Sequence, residues 1–162
     1  MNTPLSPDAR QAQPRARRQP AIQSLTRARL RKHADYKRAY AASRKRQSAS
    51  MSWFLAPQPP AAGTSTAAPR AGLTVGKILG KAHERNRIKR RMREALRRHV
   101  ELLPQGCDLI LHPRRIVLTL EFAKLEAEIV RILEQANAEA AKLAGWPAQS
   151  PARQIAPAKP AP

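Results

Sequence analysis

The chain is short of most of what a protein catalyst draws on. One cysteine in 162 residues, Cys107, excludes an internal disulfide and any cysteine-based zinc cage. It opens an apolar run, so a small buried side chain is expected there rather than a nucleophile. Acidic residues number 11 against 31 Lys and Arg, and Asp35, Glu84, Glu94 and Asp108 are too isolated in sequence to form a metal cluster. His33, His83, His99 and His112 are dispersed, with no Cys or carboxylate at ligand spacing. No nucleophile elbow, HExxH motif or carboxylate dyad is present. No apolar run approaches the ~20 residues that span a bilayer. The first twenty residues, MNTPLSPDARQAQPRARRQP, lack the apolar stretch of a secretory signal, and a cytoplasmic protein is expected.

What the chain has in excess is positive charge. A net charge of +20 and a pI near 11.7 call for a polyanionic partner, nucleic acid first and an anionic membrane second. The charge peaks over residues 77–98, KILGKAHERNRIKRRMREALRR, which hold ten Lys/Arg and two Glu in twenty-two residues. A helix is expected over 83–102. At about 100° per residue, Ile88, Met92, Ala95, Leu96, His99 and Leu103 gather on one stripe. Asn86, Arg90, Arg93 and Arg97 fall opposite, flanked by Arg87, Arg91 and Arg98. Planar, multi-donor guanidiniums suit phosphate oxygens better than scattered lysines would. With Glu84 and Glu94 the only counterions, a binding face is a better account than a solvated one. The glycines of GKILGKAHERN do not make a phosphate loop, because position 75 is Val and Ala82 follows Lys81.

The length suits one domain with tails. Residues 1–26 combine four prolines with four arginines and little to bury, so a disordered basic arm is expected. The domain then occupies 27–143, and 144–162 is an Ala/Pro-rich disordered tail. From Leu25 the pattern turns helical; Tyr36 and Tyr40, four apart, share a face and serve either as core or as stacking surfaces for bases. Residues 51–56, MSWFLA, suit a strand with Met51, Trp53 and Leu55 inward and Phe54 on the open face. Residues 57–69 form a flexible loop and 70–76 a second strand. CDLILH at 107–112 is a third, and a last helix covers 120–143, stopped by Gly145 and Pro147.

The run GLTVGKILGKAHERNRIKRRMREALR, residues 72–97, resembles the RNR segment of the protein subunit of bacterial ribonuclease P, with Arg85-Asn86-Arg87 at its centre. DYKRAY and MSWFLA upstream, and CDLILH and the last helix downstream, extend the resemblance over roughly 28–137. It implies an α/β (α+β) two-layer sandwich of αβββαβα order, a small mixed sheet and a left-handed β-α-β crossover, the fourth strand being short and near 77–81. It also implies a noncatalytic subunit: the RNA subunit cleaves, using Mg²⁺ held mainly by RNA, and the protein helps to mature tRNA 5′ ends. On the same resemblance, Arg85, Asn86, Arg87, Lys89, Arg90, Arg91, Arg93 and Arg97 would face the catalytic RNA. Tyr36, Tyr40, Phe54, Lys77 and Lys81 would hold the single-stranded 5′ leader of precursor tRNA. No membrane and no obligatory protein partner are expected. Ile78 stands where the family often has a second Lys. Two rivals share the charge: a structural ribosomal protein, which need not have exposed aromatics beside its sheet, and a DNA-binding regulator. The regulator would need a second short helix before the basic one, where a strand is expected instead.

Overall fold

The structure is a computed structural model that describes residues 25–60 and 67–144. The expectations for the arm, the centre of the 57–69 loop and the tail, with the stop signals Gly145 and Pro147, lie outside those residues. The elements are α1 (His33–Ala42), β1 (Arg46–Gln47), β2 (Met51–Pro57), β3 (Arg70–Leu73), α2 (Ala82–Arg98), β4 (Cys107–Pro113) and α3 (Phe122–Ala144). Three 3-10 turns, Lys77–Leu79, Val100–Leu102 and Arg115–Leu118, join them. The αβββαβα order is therefore the observed one.

The sheet runs β1-β2-β4-β3, antiparallel except for the parallel β3–β4 pair, which α2 connects. Its register sorts the side chains by strand alternation. Trp53 opposes Leu111, Leu55 opposes Leu109, and Ala71 and Leu73 fall beside the same two leucines. This row meets Ile88, Met92, Ala95 and Leu96 of α2 and Leu125, Ile129, Ile132, Leu133 and Ala136 of α3 in one core. The opposite row holds Phe54, Ile110 and Gly72, with Asp108, Arg70 and His112 at its ends. Leu30 and the α1 residues Tyr36, Ala39 and Tyr40 cover it as a second, smaller cluster.

Four expectations are corrected. The helix begins at His33, not at Leu25. Residues 25–28 form a turn, and the next stretch pairs with β3 through Leu30 N–H to Ala71 O (2.9 Å) and Ala71 N–H to Ala28 O (2.6 Å). Ala28 and Leu30 are both buried beside this sheet edge, Ala28 in the main core and Leu30 in the smaller cluster. The fourth strand is β1, paired to β2 at the far edge. Residues 77–79 instead close a 3-10 turn through Leu79 N–H to Gly76 O (3.1 Å). Finally, α2 ends at Arg98, and β3 ends at Leu73 rather than at Gly76. Val100–Leu102 is a tighter turn, as helix ends often are.

Candidate nucleic-acid interface

Two surfaces concentrate the expected residues. The first is the solvent side of α2. Ile88 and Met92 are fully buried and Leu96 nearly so, which fixes the helix roll and leaves Asn86, Arg87, Arg90, Arg93 and Arg97 exposed. Among the described residues, Arg87, Lys89, Arg90 and Arg93 make no ion pair. The nearby carboxylates are committed elsewhere: Glu94 to Arg97 (2.8 Å) and Arg98 (3.1 Å), and Glu84 to Arg115 (3.0 Å). The two arginines hold the Glu94 carboxyl down at about 2. Arg87, Arg90 and Arg93 thus share one face of α2 with no ion-pair partner among the described residues, and phosphate is the complementary chemistry.

Three of the expected α2 residues are placed otherwise. Arg91 is only partly exposed, and its guanidinium donates to Val117 O (2.6 Å), Leu118 O (2.8 Å) and Leu120 O. It clamps the turn after β4 onto α2, and burial together with Arg87 lowers its pKa. Arg97 is exposed but bidentate to Glu94. Arg85 is half-buried, with a buried Nε that finds no partner.

The second surface is a groove of about 540 Å³ between α1 and β3, lined by His33, Tyr36, Lys37, Tyr40, Leu73, Thr74, Val75 and Lys89. Tyr36 and Tyr40 both lie in it, their centroids 6.4 Å apart. Phe54 meets Tyr40 edge to face at 5.1 Å from the adjoining sheet surface. Tyr40 Oη is 3.1 Å from Thr74 Oγ1 and 2.6 Å from His112 Nε2, and His112 also lies 5.1 Å from the Phe54 ring. Burial, assisted by Lys45, pushes the His112 imidazole below its ordinary 6.5. Burial likewise raises the Tyr36 phenol. Aromatic faces beside Lys37 and Lys89 suit unpaired bases with their phosphates. Lys77 and Lys81 are exposed at the turn before α2 and do not line this groove.

An ion network holds α1 to the sheet and thereby sets the groove. The fully buried Asp108 accepts from Arg70 Nε (2.8 Å) and Nη2 (2.8 Å) and from Arg38 Nη2 (3.2 Å). Asp35 accepts from Arg38 (2.9 Å) and Arg70 (3.1 Å). Burial pushes the Asp35 carboxyl up, but the Arg38 hydrogen bond and the Arg70 charge outweigh it and leave it below its ordinary value.

Sequence reasoning missed His112, Thr74 and this network. Alternation along CDLILH puts His112 on the face of Ile110 and Asp108, so that signal was present. Thr74 and Lys89 needed the packing of α1 against β3. Among the described residues no group of three or more His, Cys, Asp or Glu could hold a metal ion. Nor, among the described residues, is any helix long and apolar enough to cross a membrane.

The family model described as Ribonuclease P matches residues 25–137. A ribonuclease P protein component of Chloroflexus aggregans is 44% identical over 68 residues, 41% of this chain and 50% of the relative. One of Thermobifida fusca is 32% identical over 103 residues, 62% of this chain and 70% of the relative. The chain thus spans half the length of the first relative and more than two thirds of the second. Among solved structures, the Staphylococcus aureus RNase P protein matches with a TM-score of 0.55 at 24% identity, covering 67% of this chain and 94% of that one. The Thermotoga maritima protein gives 0.55 at 24%, covering 66% and 96%. At that identity the two structures speak for the fold, and the sequence matches for descent. With Arg85-Asn86-Arg87 opening an α2 that crosses between parallel strands, the chain belongs to the ribonuclease P protein family.

Proposed function

We infer that this chain is the protein subunit of a ribonuclease P holoenzyme and promotes endonucleolytic removal of the 5′ leader from precursor tRNA. The observation that carries this is the pairing of two different surfaces on one small domain. One is the α2 face on which Arg87, Arg90 and Arg93 have no ion-pair partner among the described residues; the other is the aromatic groove beside it. The first suits the phosphates of a structured RNA. The second admits a single strand, whose bases can lie against Tyr36, Tyr40 and Phe54 while Lys37 and Lys89 meet its phosphates.

On this reading the catalytic RNA engages Asn86, Arg87, Arg90 and Arg93, with Arg85 and Arg97 at the margins. Arg91 contributes by holding the turn after β4. Lys89, which lines the groove, belongs to the leader side. The cleavage itself is hydrolysis by a metal-activated water, with Mg²⁺ bound mainly by RNA. The protein's share is to neutralise phosphates and to hold the leader, in the cytoplasm, with no obligatory protein partner.

Reconstitution tests this directly. The purified chain is added to its cognate catalytic RNA at low Mg²⁺, and cleavage of precursor tRNA is followed. Stimulation is expected; cleavage no faster than with RNA alone would overturn the reading. A structural ribosomal role has no need of the groove, and it predicts binding without stimulation.

A further inference from the structure

A third feature lies beside the N-terminal end of α2. A concavity of about 600 Å³ is formed by His83, Glu84 and Arg87 of α2 and by Arg115, Ile116, Leu118 and Thr119 of the turn after β4. Its geometry is held from both sides. Arg91 donates to three carbonyls of the turn, and Glu84 receives Arg115 while accepting the Lys81 N–H at 2.7 Å. Position 80 is a glycine at φ 130°, where any Cβ would collide with the Glu84 carboxylate. The backbone therefore bends to let that carboxylate fold back.

Three observations indicate what would fill the concavity. Large apolar side chains with substantial exposure are few among the described residues: Ile78 at 93%, Ile116 at 50% and Leu143 at 39%. Of these, Ile116, on the turn after β4, lines the concavity, and Ile78, on the turn before α2, does not. The polar side carries two guanidiniums: Arg87 makes no ion pair among the described residues, and Arg115 uses one nitrogen on Glu84, with the His83 ring also lining the space. Glu84 is the one anion facing the space, and Arg115 and the Lys81 N–H neutralise it. They hold its carboxyl below the ordinary range, the Lys81 hydrogen bond foremost. An apolar patch rimmed by guanidiniums fits a flat, uncharged ring that carries a phosphate. It does not fit a duplex groove, which would offer phosphates alone.

We propose that this concavity is a docking pocket for one unpaired nucleotide of the catalytic RNA, the base lying on Ile116 and the phosphate on Arg87 and Arg115. The proposal rests on the ribonuclease P reading above. It adds a point contact with a base, on the turn after β4, beside the phosphate contacts of α2. An acidic peptide would satisfy the arginines but leave Ile116 and Leu118 unused, and RNA is favoured because Arg87 belongs to both the pocket and the α2 face.

The test uses the full chain with its cognate catalytic RNA. Ile116→Ser alters an exposed side chain and should leave the melting temperature unchanged, whereas Arg115→Gln gives up the exposed Glu84 ion pair and should lower it only slightly. Each is expected to weaken binding to the catalytic RNA about tenfold, equally with precursor or mature tRNA present, while Ile116→Leu binds as wild type. With a photoreactive benzoylphenylalanine placed at position 116, the crosslink should fall on one unpaired nucleotide of that RNA. Wild-type affinity in Ile116→Ser and Arg115→Gln would overturn the pocket alone, because the parent chain still binds. So would a crosslink confined to the precursor leader, to an acidic protein or to a second copy of this chain. Failure of the parent chain to bind the catalytic RNA would bring down the ribonuclease P reading itself.

Discussion

Gly72 lies directly beneath the Tyr36 ring: a Cβ at position 72 would stand 2.8 Å from both Cε1 and Oη of Tyr36. The side chain missing from β3 is the space the tyrosine occupies, and Tyr36 Oη reaches over the strand to donate to Leu30 O at 3.3 Å. Gly72→Ala must therefore push the ring off the sheet. We expect a destabilisation on the order of 1–3 kcal/mol, with precursor tRNA affinity falling more than mature tRNA affinity. A melting curve and two binding isotherms check this; unchanged binding would show that the ring position does not matter to the leader.

Tyr36→Ala and Phe54→Ala remove the stacking faces themselves. Each should cost roughly 1–3 kcal/mol of precursor binding and leave mature tRNA, which has no leader, nearly unaffected. Equal losses for both RNAs would contradict the groove assignment.

Arg90 and Arg91 are neighbours in sequence with opposite employment. Arg90→Ala is expected to flatten the salt dependence of catalytic-RNA binding by about one unit of slope and to leave thermal stability alone. Arg91→Ala strips donors from Val117, Leu118 and Leu120. It should lower stability by about 1–3 kcal/mol, and its RNA defect should follow from the loosened turn. Unfolding curves with salt titrations separate the two; equal melting temperatures would refute the division.

Acid should destabilise the protein in two stages. His112 has a folded-state pKa below its ordinary 6.5. The unfolded chain therefore binds the proton more readily, and stability falls as pH drops below 6.5. Asp35 and Glu128 are depressed below 3.8 and 4.5, Glu128 because, against its burial, it accepts from the Ser48 and Ser50 hydroxyls and the Ser50 N–H. Their contributions are therefore complete above those values and vanish as pH falls through the folded ones. His112→Gln should flatten the first stage and spare the second, as read from urea midpoints between about pH 7.5 and 3.5. A wild-type-like first stage in that variant would exclude the imidazole as its source.

The sequence made the periodic parts legible. Ile88, Met92 and Leu96 recur at helical spacing, and the α2 face they imply is the buried one. MSWFLA alternates, and Trp53 and Phe54 do lie on opposite faces. Illegible parts depended on partners distant in the chain. Arg91 looked like its neighbours, and only the return of residues 117–120 gives it carbonyls to hold. Leu25 to Leu30 looked helical because apolar spacing in a basic stretch is ambiguous over so few residues; the open edge of β3 decides it as an extended segment. Two-residue β1 has too little pattern to detect, and Asp108 gives no hint in sequence that Arg38, seventy residues away, will bind it.

The β3–α2–β4 crossover has one further consequence. Leu73 and Thr74, a wall of the groove, are linked to α2 by a short turn, and the α2 core residues pack on the reverse of the strands that floor the groove. Neither surface can tilt without the other. Substitutions on the buried side of α2 and in the groove should therefore combine non-additively: a Met92→Ala, Tyr40→Phe double variant should depart from the sum of its singles in leader affinity. A thermodynamic cycle on those two positions would measure how stiffly the domain couples its two surfaces.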